Sequence, residues 1–257
     1  MTTAQDQSDI AFLQLNAQVI RAAGLDFWHL DQAINLHNYV RIANDIAAQL
    51  PGGAHILDWG CGWGQMSWLL RRRALHVTSF ELGPDDMRLP DIPLCEGLHV
   101  VRTQHPTHLP FPDGQLDGVL SCGVLEHVDE YSEAGNEKKS LREIARILRP
   151  GGKLLIYQLP QRAAWQEAVV RRLKLGYSHP RRYTSGEITA LLDEAGFDVQ
   201  RLRRANLVPK NLTGMPAAVR RIYSVFSLPL MRLDSYACRI PLLNRIAGVM
   251  EITAVRR

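Results

Sequence analysis

Apolar positions along this chain fall into two periods. Over residues 33–49, Ile34, Leu36, Tyr39, Val40, Ile42, Ala43 and Ile46 recur near helical spacing, and Pro51-Gly52-Gly53 ends the run. Residues 139–148 set Leu141, Ile144, Ile147 and Leu148 on one helical face, with Pro150-Gly151-Gly152 as the stop. Thr184-Ser185-Gly186-Glu187 has the spacing of a capping box and opens a further helix that Gly196 closes. Shorter apolar runs bounded by turn residues predict strands near 55–59, 75–81, 98–102, 116–121, 153–158, 198–205 and 249–255. Strands that alternate with helices imply an α/β fold: a doubly wound, mostly parallel sheet whose ligands sit at the carboxyl ends of its strands.

The first predicted strand runs into Ile56-Leu57-Asp58-Trp59-Gly60-Cys61-Gly62-Trp63-Gly64-Gln65, an apolar run that ends in three alternating glycines and then becomes helical. Glycine at those positions removes a Cβ where the backbone turns sharply and approaches a ligand. The free N–H groups of the following helix favour a negatively charged or carboxylate-bearing group. Glu81 closes the second strand, 21 residues after Gly60, where a carboxylate accepts hydrogen bonds from both hydroxyls of a ribose. The pair marks a nucleotide-like cofactor. On this pair alone a dinucleotide site stays open, although its G-x-G-x-x-G fingerprint would put the third glycine at Gln65.

Asp58-x-Gly60-x-Gly62-x-Gly64, with Glu81 one strand later, resembles the first two motifs of the class I S-adenosylmethionine-dependent methyltransferases. Leu109-Pro110-Phe111-Pro112-Asp113, the run 116–121 and Val124-Leu125-Glu126-His127-Val128 resemble that family's adenine-side loop and fourth strand. Leu148-Arg149-Pro150-Gly151-Gly152-Lys153-Leu154 resembles its turn into the fifth strand, so the likeness covers roughly residues 50–200. It implies a Rossmann-like sheet of seven strands, mostly parallel, with an antiparallel last strand and helical additions. It also implies S-adenosyl-L-methionine as cofactor. Carried over residue by residue, it implies cofactor contacts from Asp58, Gly60, Cys61, Gly62, Glu81 and Leu82, and backbone groups of Cys122 near the methionine end. His105 stands where many relatives place an acid that accepts from the adenine amino group, a bond a neutral imidazole is able to accept.

At 257 residues and 46% hydrophobic, the chain is long enough to bury one sizeable core, so residues 1–257 are read as a single domain. Within it, 1–50 form an N-terminal helical cap, 51–205 the cofactor-binding core and 248–257 the final strand. The cysteines at 61, 95, 122 and 238 make no CxxC pair or ligand cluster, and no metal is expected. Reduced thiols of this kind fit a cytoplasmic protein, with Cys61 and Cys122 as packing residues beside the cofactor. The first 25 residues carry Asp6, Asp9 and Arg21 without a basic start and apolar core, which argues against a signal peptide. No 18-residue apolar stretch free of charge argues for a membrane span.

The net charge of +4 is unevenly spread, with 17 Lys or Arg against 7 Asp or Glu from residue 160 onward and 13 against 19 before it. Such asymmetry fits an anionic partner: a phosphate-bearing acceptor, anionic lipid or nucleic acid. The arginines come in pairs, as in Arg220-Arg221, with no RNA or DNA module signature beside them. Residues 206–247 part the last two strands and hold six basic residues, one acid (Asp234) and repeated apolar groups. So long a structureless loop is uncommon inside a domain, and a basic helical insertion is predicted. It serves as a packing lid, an acceptor-binding cap or a peripheral membrane contact.

A methyl group on sulfonium sulfur is already electrophilic, so the protein must chiefly align an acceptor lone pair with it. For a hydroxyl acceptor a general base takes the proton, a task suited to histidine. His127, which follows the fourth strand, is the first candidate, its other role being to orient the loop or cap the next helix. Glu126 is read as fixing a backbone turn or a partner side chain. His179, four residues before Tyr183, is the second candidate, followed by His29 and Tyr39 on a segment able to fold over the cofactor. Trp59 and Trp68 are read as core. The resulting expectation is methyl transfer to an oxygen, with nitrogen or carbon behind it, of a small or lipid-linked metabolite. A nicotinamide-dependent oxidoreductase, a non-catalytic S-adenosylmethionine-binding protein and a nucleic-acid methyltransferase remain as rivals.

Overall fold

Neighbouring apolar residues of the central strands belong to different cores. Ile56 packs with Ile42, Ile46 and Leu69 on one side of the sheet, while Leu57 packs with Leu141, Ile144 and Ile188 on the other. Leu120 and Leu155 share the first core, Val119 and Leu154 the second. This is the period-2 alternation of strands buried on both faces, which need apolar side chains at every position.

The computed structural model describes residues 3–257 except 26, 85, 106, 131–134, 175–176, 211, 213–214 and the side chain of 28. Two helices, α1 (Ala4–Ala22) and α2 (Ala33–Ala47), precede β1 (His55–Trp59). Then come α3 (Gln65–Arg71), β2 (His76–Leu82), β3 (Val100–Thr103), β4 (Leu116–Cys122), α4 (Asn136–Ile147) and β5 (Leu148–Pro160). The chain continues through α5 (Trp165–Leu173), α6 (Ser185–Glu194), β6 (Phe197–Ala205), α7 (Ala217–Val225), α8 (Ser227–Ala237) and β7 (Val249–Arg256). The strands form one seven-stranded sheet in the order β3-β2-β1-β4-β5-β7-β6. Only β7 runs antiparallel to its neighbours. The α/β class, the seven strands and the antiparallel last strand are as the sequence predicts.

The turn predicted at Pro150-Gly151-Gly152 lies within a strand instead. Leu148 already pairs with Leu116, and the register then jumps to Gly118 against Lys153. The three extra residues bulge out, and a Cβ on Gly152 would sit 2.8 Å from the Arg149 carbonyl oxygen. β5 therefore starts five residues before the predicted 153.

Helix α1 opens on a capping box in which Thr3 Oγ1 accepts from Asp6 N and Asp6 Oδ2 accepts from Thr3 N. Its buried face is partly polar: Asp9 accepts from Arg72 Nε and Arg73 Nη1, both at 2.5 Å, and Asn16 Oδ1 accepts from Leu94 N at 2.8 Å. Between β6 and β7, α7 and α8 pack on α2. Asp234 on α8 pairs with buried Lys210 at 3.0 Å and accepts from Val208 N at 2.7 Å. Within the expected 206–247 insertion, residues 211 and 213–214 lie outside the described residues.

Candidate active site

β1 delivers the chain to the glycine loop with Gly60, Gly62 and Gly64 at φ of 75°, 56° and 86°, left-handed values that other residues seldom adopt. Gly60 N and Cys61 N both donate to Phe80 O at 2.9 Å, which pins the loop to β2. A Cβ on Gly60 would lie 2.5 Å from Val124 Cγ2, and one on Gly64 would lie 2.3 Å from Leu98 Cδ2. At Gly62 the nearest atom to a Cβ is Gln65 Oε1, 4.0 Å away. The first and third glycines thus permit close packing, whereas the second faces open space.

Glu81, at the carboxyl end of β2, accepts from Gly62 N at 2.7 Å and from Leu82 N at 3.0 Å. Beneath the loop, Ser67 Oγ donates to Asp58 Oδ2 at 2.6 Å and lies 2.7 Å from Ser79 Oγ, so a buried polar knot ties α3 to β1 and β2. Burial pushes the Asp58 carboxyl up to about 6, against the Ser67 hydrogen bond that favours its ionised form. Asp58 is thus bonded to the helix that follows the loop. Cys61 and Cys122 are free thiols whose pKa burial raises, which leaves them as packing groups rather than thiolates.

A cavity of about 250 Å³ opens at the carboxyl ends of β1, β2 and β4, lined among others by Gly60, Glu81, Leu82, Gly123 and His127. A carboxylate at the strand end and open space before Gly62 fit the ribose hydroxyls and the methionine moiety of S-adenosylmethionine. His105, beyond β3, is exposed, stacks edge-on against His108 at 6.2 Å and does not line this cavity. His29 Nδ1 lies 3.0 Å from Tyr39 Oη, and burial lowers the His29 pKa to about 4. Phe27 stacks on Trp63 of the glycine loop at 4.3 Å, so this N-terminal segment folds over the loop. Trp59 is buried but also lines the cavity, and Trp68 stacks on Phe12 at 4.2 Å.

The two leading histidine candidates, 52 residues apart in sequence, meet beside the cavity with ring centroids 5.6 Å apart. His127 stands on a 3-10 turn, Leu125–His127, directly after β4, and its Nδ1 lies 3.1 Å from Glu130 Oε2. His179 comes from the segment between α5 and α6, and its Nδ1 lies 2.7 Å from Glu167 Oε1. Burial opposes its charged form, yet the hydrogen bond and charge of Glu167 raise its pKa above the ordinary value. Arg181 and Tyr183 lock that segment in place by donating to Glu137 on α4, at 2.8 Å each. Glu126 is 2% exposed, burial pushes its carboxyl up to about 7, and its Oε2 has no hydrogen-bond partner among the described residues. Sequence reasoning missed Glu130 and Glu167 as partners of the histidines; the Glu126-His127 doublet was the only local signal.

A strand order with one antiparallel edge hairpin, a glycine loop and a carboxylate at the end of β2 define a nucleotide-binding transferase site. Residues 57–156 match the family described as Methyltransferase domain. The ubiquinone biosynthesis O-methyltransferase of Xanthomonas axonopodis pv. citri (strain 306) is 30% identical over 188 residues, 68% of this chain and 76% of that protein. The O-methyltransferase resE of Aspergillus sclerotiorum is 29% identical over 168 residues, 62% of this chain and 61% of that protein. An uncharacterized methyltransferase of Mycobacterium sp. (strain JLS) is 31% identical over 139 residues, half of this chain and 52% of its own length. Among solved structures, 1,6-didemethyltoxoflavin-N1-methyltransferase of Burkholderia thailandensis, with bound S-adenosylhomocysteine, shares the fold. Its TM-score is 0.55 at 19% identity, over 100% of this chain and 92% of that one. The chain belongs to the class I S-adenosylmethionine-dependent methyltransferases, and the nicotinamide reading falls.

Proposed function

We propose that the protein methylates an oxygen of a small or lipid-linked metabolite. The observation that carries this is His127, a carboxylate-anchored imidazole lining the same cavity as Gly60 and Glu81. When bound, S-adenosylmethionine supplies a methyl carbon whose bond to sulfur breaks, the electron pair passing to sulfur, as the acceptor oxygen bonds to it. Gly60, Cys61 and Gly62 hold the methionine end, and Glu81 holds the ribose. Glu130 at Nδ1 orients the His127 ring, so that its other nitrogen takes the hydroxyl proton as the oxygen attacks. The names of two relatives, both O-methyltransferases, support oxygen as the acceptor atom.

A lipid-linked acceptor is supported by α7 and α8, where Ile222, Val225, Phe226, Leu233 and Tyr236 are exposed among Arg220, Arg221, Arg232 and Arg239. No helix among the described residues is long and apolar enough to cross a membrane, so contact would be peripheral. The test is transfer of labelled methyl to a panel of hydroxylated acceptors, free and embedded in anionic vesicles. Label on oxygen is expected. Label on nitrogen or carbon alone, or on nothing, overturns the proposal, while transfer to free acceptors without vesicle association removes only its membrane part.

A further inference from the structure

Glu126, His127 and His179 each offer one ligand atom, and the three atoms lie within 4.8 Å of one another. Two segments far apart in sequence build this cluster. A buried carboxylate costs several kcal/mol unless a charge or hydrogen bonds compensate it, yet Glu126 Oε2 finds no partner among the described residues. Both imidazoles have Nδ1 held by a carboxylate, Glu130 for His127 and Glu167 for His179. Those carboxylates are fixed in turn: Glu167 accepts from Ser178 Oγ at 2.9 Å and His179 N at 3.2 Å, and Glu130 accepts from Tyr177 Oη at 3.0 Å. A carboxylate on one ring nitrogen, leaving the other for a ligand, is the outer shell of metal-bound histidine.

We propose that Glu126, His127 and His179 bind one first-row divalent cation. Two imidazole nitrogens and one carboxylate oxygen suit zinc, manganese(II) or iron(II) rather than calcium. Donors up to 4.8 Å apart need only modest side-chain movement to reach bonds of about 2.0–2.2 Å. Three protein ligands leave coordination positions open, and His127 lines the cofactor cavity, so the open side meets the acceptor.

The inference rests on oxygen being the methylated atom and changes the role of His127. A cation-bound hydroxyl loses its proton to water near neutral pH and reaches the methyl carbon already anionic. His127 is then a ligand rather than a base. Glu130 and Glu167 become positioning residues that fix the two rings.

Calorimetry with Zn²⁺, and electron paramagnetic resonance with Mn²⁺, on chelator-treated protein test this without any acceptor. One site per chain is expected, with affinity reduced about tenfold or more in Glu126→Gln and His179→Ala and by a similar factor in Glu167→Ala. Affinity for S-adenosylhomocysteine should stay unchanged in all three, which shows that they fold. No stoichiometric binding by the wild type, or equal affinity in Glu126→Gln and His179→Ala, overturns the cation site. Undiminished oxygen methylation by chelator-treated protein also overturns it and leaves His127 as the base. Absence of oxygen methylation beside intact cation binding refutes the proposed function alone.

Discussion

A single carboxylate, Glu81, accepts from Gly62 N in the glycine loop and from Leu82 N at the end of β2. Glu81→Ala is expected to weaken S-adenosylhomocysteine binding by roughly 1–3 kcal/mol, the cost of unpaired buried polar groups. Gly62→Arg should abolish it, because the residue sits at φ 56° and its side chain would fill the open space before the loop. Calorimetry reads both, and wild-type affinity in either variant defeats the assignment. His127→Ala should lower turnover by about two orders of magnitude or more with cofactor affinity unchanged, whether the imidazole serves as base or ligand. These residues were legible in the sequence because backbone geometry demands glycine at fixed spacing and a ribose demands an acid at a strand end. The partners of the histidines were not. Glu130 is close to His127 in sequence, but Glu167 reaches His179 only once the α5–α6 segment has folded back, a tertiary fact without a local signal.

The segment between α5 and α6 owes its place to Glu137, where the Tyr183 hydroxyl and the Arg181 guanidinium converge on one carboxylate. Arg181 also lies over the Tyr183 ring at 4.4 Å, and Tyr183 is fully buried. Removing that acceptor leaves the buried hydroxyl only the long contact of 3.5 Å to the Leu125 carbonyl oxygen, so Glu137→Ala is expected to lose roughly 2 kcal/mol in urea unfolding, discounted for the part-exposed Arg181. It should also lower turnover by displacing His179. A variant with full stability and full turnover would show that the segment is held by other means. The strands were legible because burial on both faces makes each a continuous apolar run. Helix α1 was less so, as Asp6, Asp9 and Asn16 occupy its buried face and break the apolar stripe, the cost of the two acids offset by Arg72, Arg73 and Asn44 and that of Asn16 by Leu94 N and Phe12 O. The early start of β5 was hidden because Pro150-Gly151-Gly152 makes a bulge as readily as a chain reversal.

Across the whole molecule, buried acids on the cofactor side and exposed arginines on α7 and α8 respond to different variables. The folded-state pKa of Asp58, about 6, exceeds its unfolded value of 3.8. The folded state therefore keeps a proton that the unfolded chain loses, and stability falls as pH rises through about 4 to 6. Asp58→Asn should flatten that slope, by an amount on the order of 3 kcal/mol at about 1.36 kcal/mol per pKa unit; urea midpoints at pH 4, 5 and 6 that keep the wild-type slope would count against it. The arginines respond to salt instead. Lys210 and Asp234 pair within the 206–247 segment, whose helices α7 and α8 pack on α2, and Val225, Phe226 and Tyr236 remain exposed on it. Each arginine near an anionic bilayer contributes about 1 kcal/mol, attenuated over a Debye length of roughly 8–10 Å. Replacing Arg220, Arg221 and Arg232 by Ser should therefore lower vesicle affinity by roughly two orders of magnitude, and 0.5 M salt, taken as about a threefold rise over physiological, should weaken the wild type in the same direction. Phe226→Ser should weaken binding without changing its salt dependence, since burial of an aromatic ring in the interface is not screened. Wild-type protein that fails to sediment with anionic vesicles would reduce α7 and α8 to a lid on α2.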